Sequence, residues 1–141
     1  MTNCIRVLLV EDNPGDAELI RDTLESSKLM LEIDVVTDGA QAVDYLLKQG
    51  AFAAAETPDL IMLDLNLPKM DGRQVLERVK TSERLKLVPV VILTSSDAEN
   101  DVVRSYQLGA NCYVIKPVDL AAFQSIVKAI EGFWFTVVKR P

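Results

Sequence analysis

Five short apolar runs, residues 5–10, 33–36, 60–63, 90–93 and 112–115, constrain the fold of this chain more than any other feature. Most are hydrophobic nearly without interruption. That pattern belongs to strands covered on both faces, as in a parallel sheet, rather than to strands with one wet face. The run at 33–36 is short and flanked by charge, so it carries the weakest signal of the five. Between the runs, apolar residues recur at helical spacing. Asn13 suits an N-cap and Pro14 a first helical turn; Ala17, Ile20 and Leu24 follow at three- and four-residue steps, with Glu18, Arg21, Asp22 and Glu25 turned away. Val43, Leu46 and Leu47 form a second stripe. Val75, Leu76 and Val79 form a third, starting after Gly72 and fading near Thr81. A fourth helix is expected from the cap Asp97 to Gly109, and a fifth, carrying Phe123, Ile126, Val127 and Ile130, after Asp119.

Strand and helix thus alternate five times, which implies parallel strands joined by right-handed crossovers with helices on both faces. The expected fold class is α/β: a (βα)5 doubly wound parallel sheet in the flavodoxin-like order 2-1-3-4-5. The 141 residues fit one domain. In that order the chain reverses direction between strands 1 and 3. Ligands of open α/β sheets bind beyond the carboxyl ends of the strands at such a switch point.

The residues at that address carry chemistry. Strand 1 runs into Glu11 and Asp12, strand 3 into Asp64, strand 4 into Thr94 and strand 5 into Lys116. Two carboxylates ~4 Å apart repel by about 4 kcal/mol at an effective dielectric near 20. Either a proton or a cation must relieve a cluster of three. Mg2+, which uses one or two carboxylates, keeps waters and leaves room for phosphate, is the simplest cation for it. Lys116 offers a compact positive charge to a phosphoryl oxygen and Thr94 a hydroxyl. Asp64, ending the central strand, is the candidate nucleophile for an acyl phosphate. Any one of these residues alone reads as a helix cap or a solvated loop residue. Their agreement across four strand ends makes the site the strong signal.

Composition removes the alternatives. The chain has no histidine, which excludes Ser-His-Asp and Cys-His nucleophiles and imidazole zinc sites. Two cysteines are too few for a disulfide scaffold and fit a reducing cytosol. With 15 basic against 21 acidic residues, nonspecific nucleic-acid binding is not expected. No apolar run approaches the ~20 residues of a membrane span. The start lacks a secretion signal, so no membrane association and a cytoplasmic location are expected.

The ordered set Val10-Glu11-Asp12-Asn13, Asp59-Leu60-Ile61-Met62-Leu63-Asp64-Leu65-Asn66-Leu67-Pro68, Met70-Asp71-Gly72, Val90-Val91-Ile92-Leu93-Thr94-Ser95 and Ile115-Lys116-Pro117 resembles the receiver domains of bacterial two-component response regulators. The resemblance implies that Asp64 accepts a phosphoryl group from a phosphohistidine on a sensor histidine kinase. It also implies that Glu11, Asp12, Asp64 and the backbone carbonyl of Asn66 serve Mg2+. By the same resemblance Thr94 and Lys116 contact the phosphoryl group, the Lys116–Pro117 bond is cis, and Thr94 and Tyr113 form the switch that reshapes the face of helix 4, strand 5 and helix 5. Tyr113 also reads simply as an edge aromatic packing beside helix 4.

Two features exceed a minimal receiver: a long Ala-rich connection at 49–58 and an aromatic tail, Phe133-Trp134-Phe135. Together with the stand-alone length they resemble the small regulators paired with bacterial phytochromes, notably in cyanobacteria. The expected organisation is a receiver domain at 1–132 and a tail at 133–141 with no output module, so output is protein contact. A homodimer through helix 4, strand 5, helix 5 and the tail is expected, with Tyr106, Phe133, Trp134 and Phe135 as contact candidates; the tail alternatively folds back on its own domain. Three rivals stand beside this reading. A flavin carrier of similar fold needs a hydroxyl- and glycine-rich phosphate loop after strand 1, where this chain has Glu11-Asp12-Asn13-Pro14-Gly15-Asp16. Of the remaining two, one is a receiver-like binding module that works without phosphorylation. The other, a haloacid dehalogenase-type phosphatase, needs an acid two residues after its nucleophile, where this chain has Asn66.

Overall fold

The computed structural model describes residues 5–25, 31–65, 67, 69–94, 112–115 and 121. Strands β1 (Ile5–Val10), β2 (Leu31–Val36), β3 (Leu60–Asp64), β4 (Val90–Thr94) and β5 (Cys112–Ile115) form one sheet in the order β2-β1-β3-β4-β5. Every neighbouring pair is parallel. The helices are α1 (Pro14–Glu25), α2 (Gly39–Leu47) and α3 (Gly72–Thr81). The fourth and fifth helices expected from the sequence lie outside the described residues.

Continuous hydrophobicity in the strands has a direct structural cause, because successive residues supply opposite cores. Val7, Leu9, Leu60, Met62, Val91 and Leu93 pack with Ile20 and Leu24 of α1. Leu8, Val10, Ile61, Leu63, Val90 and Ile92 pack with Val43 and Leu46 of α2 and Val75, Leu76 and Val79 of α3. Each fully buried aliphatic side chain contributes about 1.5–3 kcal/mol. Helix α1 begins as the sequence predicts: Asn13 Oδ1 accepts from the Asp16 N–H at 3.0 Å. Asp71 and Gln74 form a reciprocal capping box at the start of α3.

β2 differs from its sequence reading. It starts at Leu31, two residues earlier than expected, with Ile5 paired to Leu31. Its exposure alternates, Glu32 and Asp34 outward and Leu31, Ile33 and Val35 half-buried, because β2 ends the sheet. The charge that obscured it is the solvent face of an edge strand, where Glu32 accepts from Arg6 Nη1 at 2.6 Å. Leu47 also departs from its predicted core place and is 40% exposed. The core face of α2 is made instead by Ala42, Val43, Tyr45 and Leu46. The 49–58 connection is not bare loop: Gly50–Phe52 form a 3-10 turn, and the Phe52 ring packs on Tyr45 at 5.5 Å between centroids.

Candidate functional site

The parallel register brings the carboxyl ends of the strands to one edge of the sheet. The ladder between β1 and β2 runs one residue past the strand, with the Glu11 N–H donating to the Val36 carbonyl at 3.0 Å. This carries Glu11 inward, where it is fully buried, and leaves Asp12 exposed. Glu11 Oε2 accepts from the Asn13 backbone N–H at 3.2 Å, which ties the acidic pair to the cap of α1. On the neighbouring strand Asp64 closes β3 in register with Leu93 of β4 and is 4% exposed. Carboxylate oxygens of Glu11, Asp12 and Asp64, one from each residue, lie within 4.8 Å of one another. The convergence expected at the switch point is therefore present.

Thr94 ends β4 opposite Ile115, and Tyr113 lies in β5 opposite Ile92. Asn66, Lys116, Pro117, Tyr106, Phe133, Trp134 and Phe135 fall outside the described residues. Sequence reasoning missed the turn that flanks the site from β2. Asp38 there is 5% exposed and caps α2, accepting from the Gln41 N–H at 2.7 Å. Its signal was an Asp-Gly pair between a strand and a helix, with Asp as the N-cap, repeated at Asp71-Gly72 before α3.

An all-oxygen donor set of three carboxylates, two of them buried, fits a hard divalent cation such as Mg2+ or Mn2+. The cluster contains neither imidazole nor thiolate, the ligands that softer metals favour. Among the described residues no helix is long and apolar enough to cross a membrane.

Residues 7–128 match the sequence model of the response regulator receiver domain, and the chain belongs to that family of two-component signalling proteins. Its relatives narrow the class. The chain is 43% identical over 135 residues to response regulator Rcp1 of Synechocystis sp., covering 96% of this chain and 92% of Rcp1. The crystal structure of the Mn2+-bound form of Rcp1 superposes with a TM-score of 0.80 at 42% identity, over 97% of this chain and 99% of that one. The phosphorylated cyanobacterial phytochrome response regulator RcpA gives 0.80 at 45% identity, over 97% and 98% of the two chains. The bacteriophytochrome response regulator RtBRR gives 0.85 at 48% identity, over 100% of this chain and 84% of that one. The chain is thus a response regulator receiver similar to phytochrome-associated regulators.

Proposed function

We propose that this chain is a phosphoacceptor that takes a phosphoryl group onto Asp64 from a sensor histidine kinase of the bacteriophytochrome type. The observation that carries the reading is the meeting of Glu11, Asp12 and Asp64 at the carboxyl ends of β1 and β3. An Asp64 carboxylate oxygen attacks phosphorus; the new P–O bond forms as the P–N bond of the donor phosphohistidine breaks, and the imidazole leaves. Glu11, Asp12, Asp64 and the Asn66 carbonyl are the residues that would hold Mg2+. When bound, the ion supplies positive charge that offsets the carboxylates and the incoming phosphoryl oxygens. The Thr94 hydroxyl and Lys116 ammonium take the transferred group. Thr94 and Tyr113 then bias a two-state packing change on the face of helix 4, strand 5 and helix 5.

The chain catalyses only its own phosphorylation and dephosphorylation. The receiver spans 1–132 and the aromatic tail 133–141, and the chain works in the cytoplasm and signals by protein contact. Tyr106, Phe133, Trp134 and Phe135 contribute to a homodimer. Phosphorylated RcpA, a regulator of nearly the same length, supports this reading against a phosphorylation-independent binding module. The test is intact mass measurement after incubation with acetyl phosphate and Mg2+. One base-labile phosphoryl group is expected on the wild type and none on Asp64→Asn. An unmodified wild type, or a mutant modified with the same lability, overturns the proposal.

A further inference from the structure

The segment that follows Asp64 is seated against the turn between β2 and α2, although no residue of that turn belongs to the acidic cluster. Gly39 opens α2 directly against Met70. A Cβ at position 39 would lie 2.1 Å from the Met70 carbonyl oxygen and 2.8 Å from its carbonyl carbon, where ordinary contact begins at 3.4 Å. The obstacle is backbone, which no rotamer change can clear. Beside it the Lys69 ammonium lies 3.7 Å from Asp38 Oδ2, while Asp38 Oδ1 is fixed by capping α2. Lys69 sits at φ 66, a conformation rare for residues with a Cβ.

The near end of the segment is held as closely. A Cβ on Gly72 would lie 2.3 Å from the Asp64 carbonyl oxygen and 2.7 Å from Leu65 Cα. The Gly72 N–H donates to the Leu65 carbonyl at 3.0 Å. Only Asp71 separates Met70, which meets the β2–α2 turn, from Gly72, which meets Asp64.

We propose that Asp38 and Gly39 are positioning residues for the acidic site, setting through Met70 and Gly72 where Asp64 stands relative to Glu11 and Asp12. This rests on the reading of those three carboxylates as a cation-holding phosphoacceptor site. Gly39→Ala forces α2 and Met70 apart by more than 1 Å, and the displacement reaches Asp64 through Asp71 and Gly72. Mg2+ demands near-ideal coordination geometry. A displacement of order 1 Å at a reacting group costs up to ~10²-fold, and sharing it between helix and segment leaves about tenfold.

The experiment measures three quantities on the full chain: Mg2+ affinity by titration calorimetry, phosphorylation rate with acetyl phosphate, and the melting temperature in EDTA. Gly39→Ala is compared with Val79→Ala, a cavity variant buried in the same core cluster. Gly39→Ala should bind Mg2+ about tenfold more weakly and react slower by a similar factor. Val79→Ala, destabilised in EDTA, should keep wild-type affinity. Asp38→Ala removes both the α2 cap and the Lys69 pair, should bind Mg2+ several-fold more weakly, and carries the test if Gly39→Ala does not fold. Wild-type affinity in a folded Gly39→Ala or Asp38→Ala, or an equal loss in Val79→Ala, overturns the proposal. A wild-type chain that neither binds Mg2+ nor reacts overturns the reading of the site itself, and this proposal with it.

Discussion

Asp12→Asn should make the cation-free protein more stable and at the same time remove its response to Mg2+. The carboxylate oxygens of Glu11, Asp12 and Asp64 lie within 4.8 Å of one another. At that separation a pair of charges repels by about 3.5 kcal/mol at an effective dielectric of 20 and about 0.9 kcal/mol in water. Glu11 and Asp64 are buried, so their repulsion belongs near the higher figure; Asp12 is exposed, so its two pairs belong near the lower. Neutralising Asp12 removes those two pairs and relieves about 2 kcal/mol. For a domain of this size that raises Tm by about 4–8 °C. Wild type with Mg2+ at a hundred times its dissociation constant should gain about 2.7 kcal/mol, a rise of about 5–11 °C. The assay is thermal melting in EDTA and in Mg2+ at low ionic strength, where screening is weakest. If Asp12→Asn melts at or below wild type in EDTA, or shifts with Mg2+ as wild type does, Asp12 is not part of a charged cation site.

Tyr45→Phe removes the hydroxyl that donates to Asp34 Oδ2 at 2.6 Å and should cost about 1.5–3 kcal/mol in denaturant unfolding; an unchanged midpoint contradicts it. Burial, reinforced by Asp34, pushes the Tyr45 hydroxyl well above its ordinary value of 10.0. The folded pKa is raised, so this stability is fully present below pH 10 and lost above it as the unfolded chain ionises first. Stability measured against pH should fall more steeply there in wild type than in Tyr45→Phe, and parallel curves refute the assignment. Lys48, the C-cap of α2 at φ 59, is a left-handed residue with a Cβ. Lys48→Gly should raise stability by up to ~1 kcal/mol, read as a higher urea midpoint, and a lower midpoint refutes the strain. Truncation after Gly132 should weaken self-association in sedimentation, while unchanged assembly moves the interface off the tail.

The site was legible because its chemistry sits at strand ends. A chain that alternates doubly buried strands with helices has few topologies, and the five-strand order 2-1-3-4-5 places the residues after β1 and β3 side by side. Glu11, Asp12 and Asp64 could be named for that reason. What the sequence hid is equally physical. Leu31 and Glu32 escaped because an edge strand alternates, and Glu32 serves Arg6 rather than the core. Phe52 read as part of a loop because its partner Tyr45 lies on a helix whose stripe seemed to run through Leu47. The seat of Gly39 on Met70 is a backbone contact between distant segments, and no side-chain periodicity records one. The missing histidine, first an exclusion, becomes a statement of role: this chain has none from which to donate a phosphoryl group, and its acidic cluster suits the receiving side of the transfer.

The central claim is that Asp64 is the acceptor, and reductive trapping tests it most directly. Borohydride reduces an aspartyl phosphate to homoserine, so the phosphorylated chain should yield homoserine at position 64 when its peptides are sequenced. The unphosphorylated chain should yield none. Homoserine at position 12, or a phosphoryl group that survives borohydride on a serine or threonine, contradicts the account.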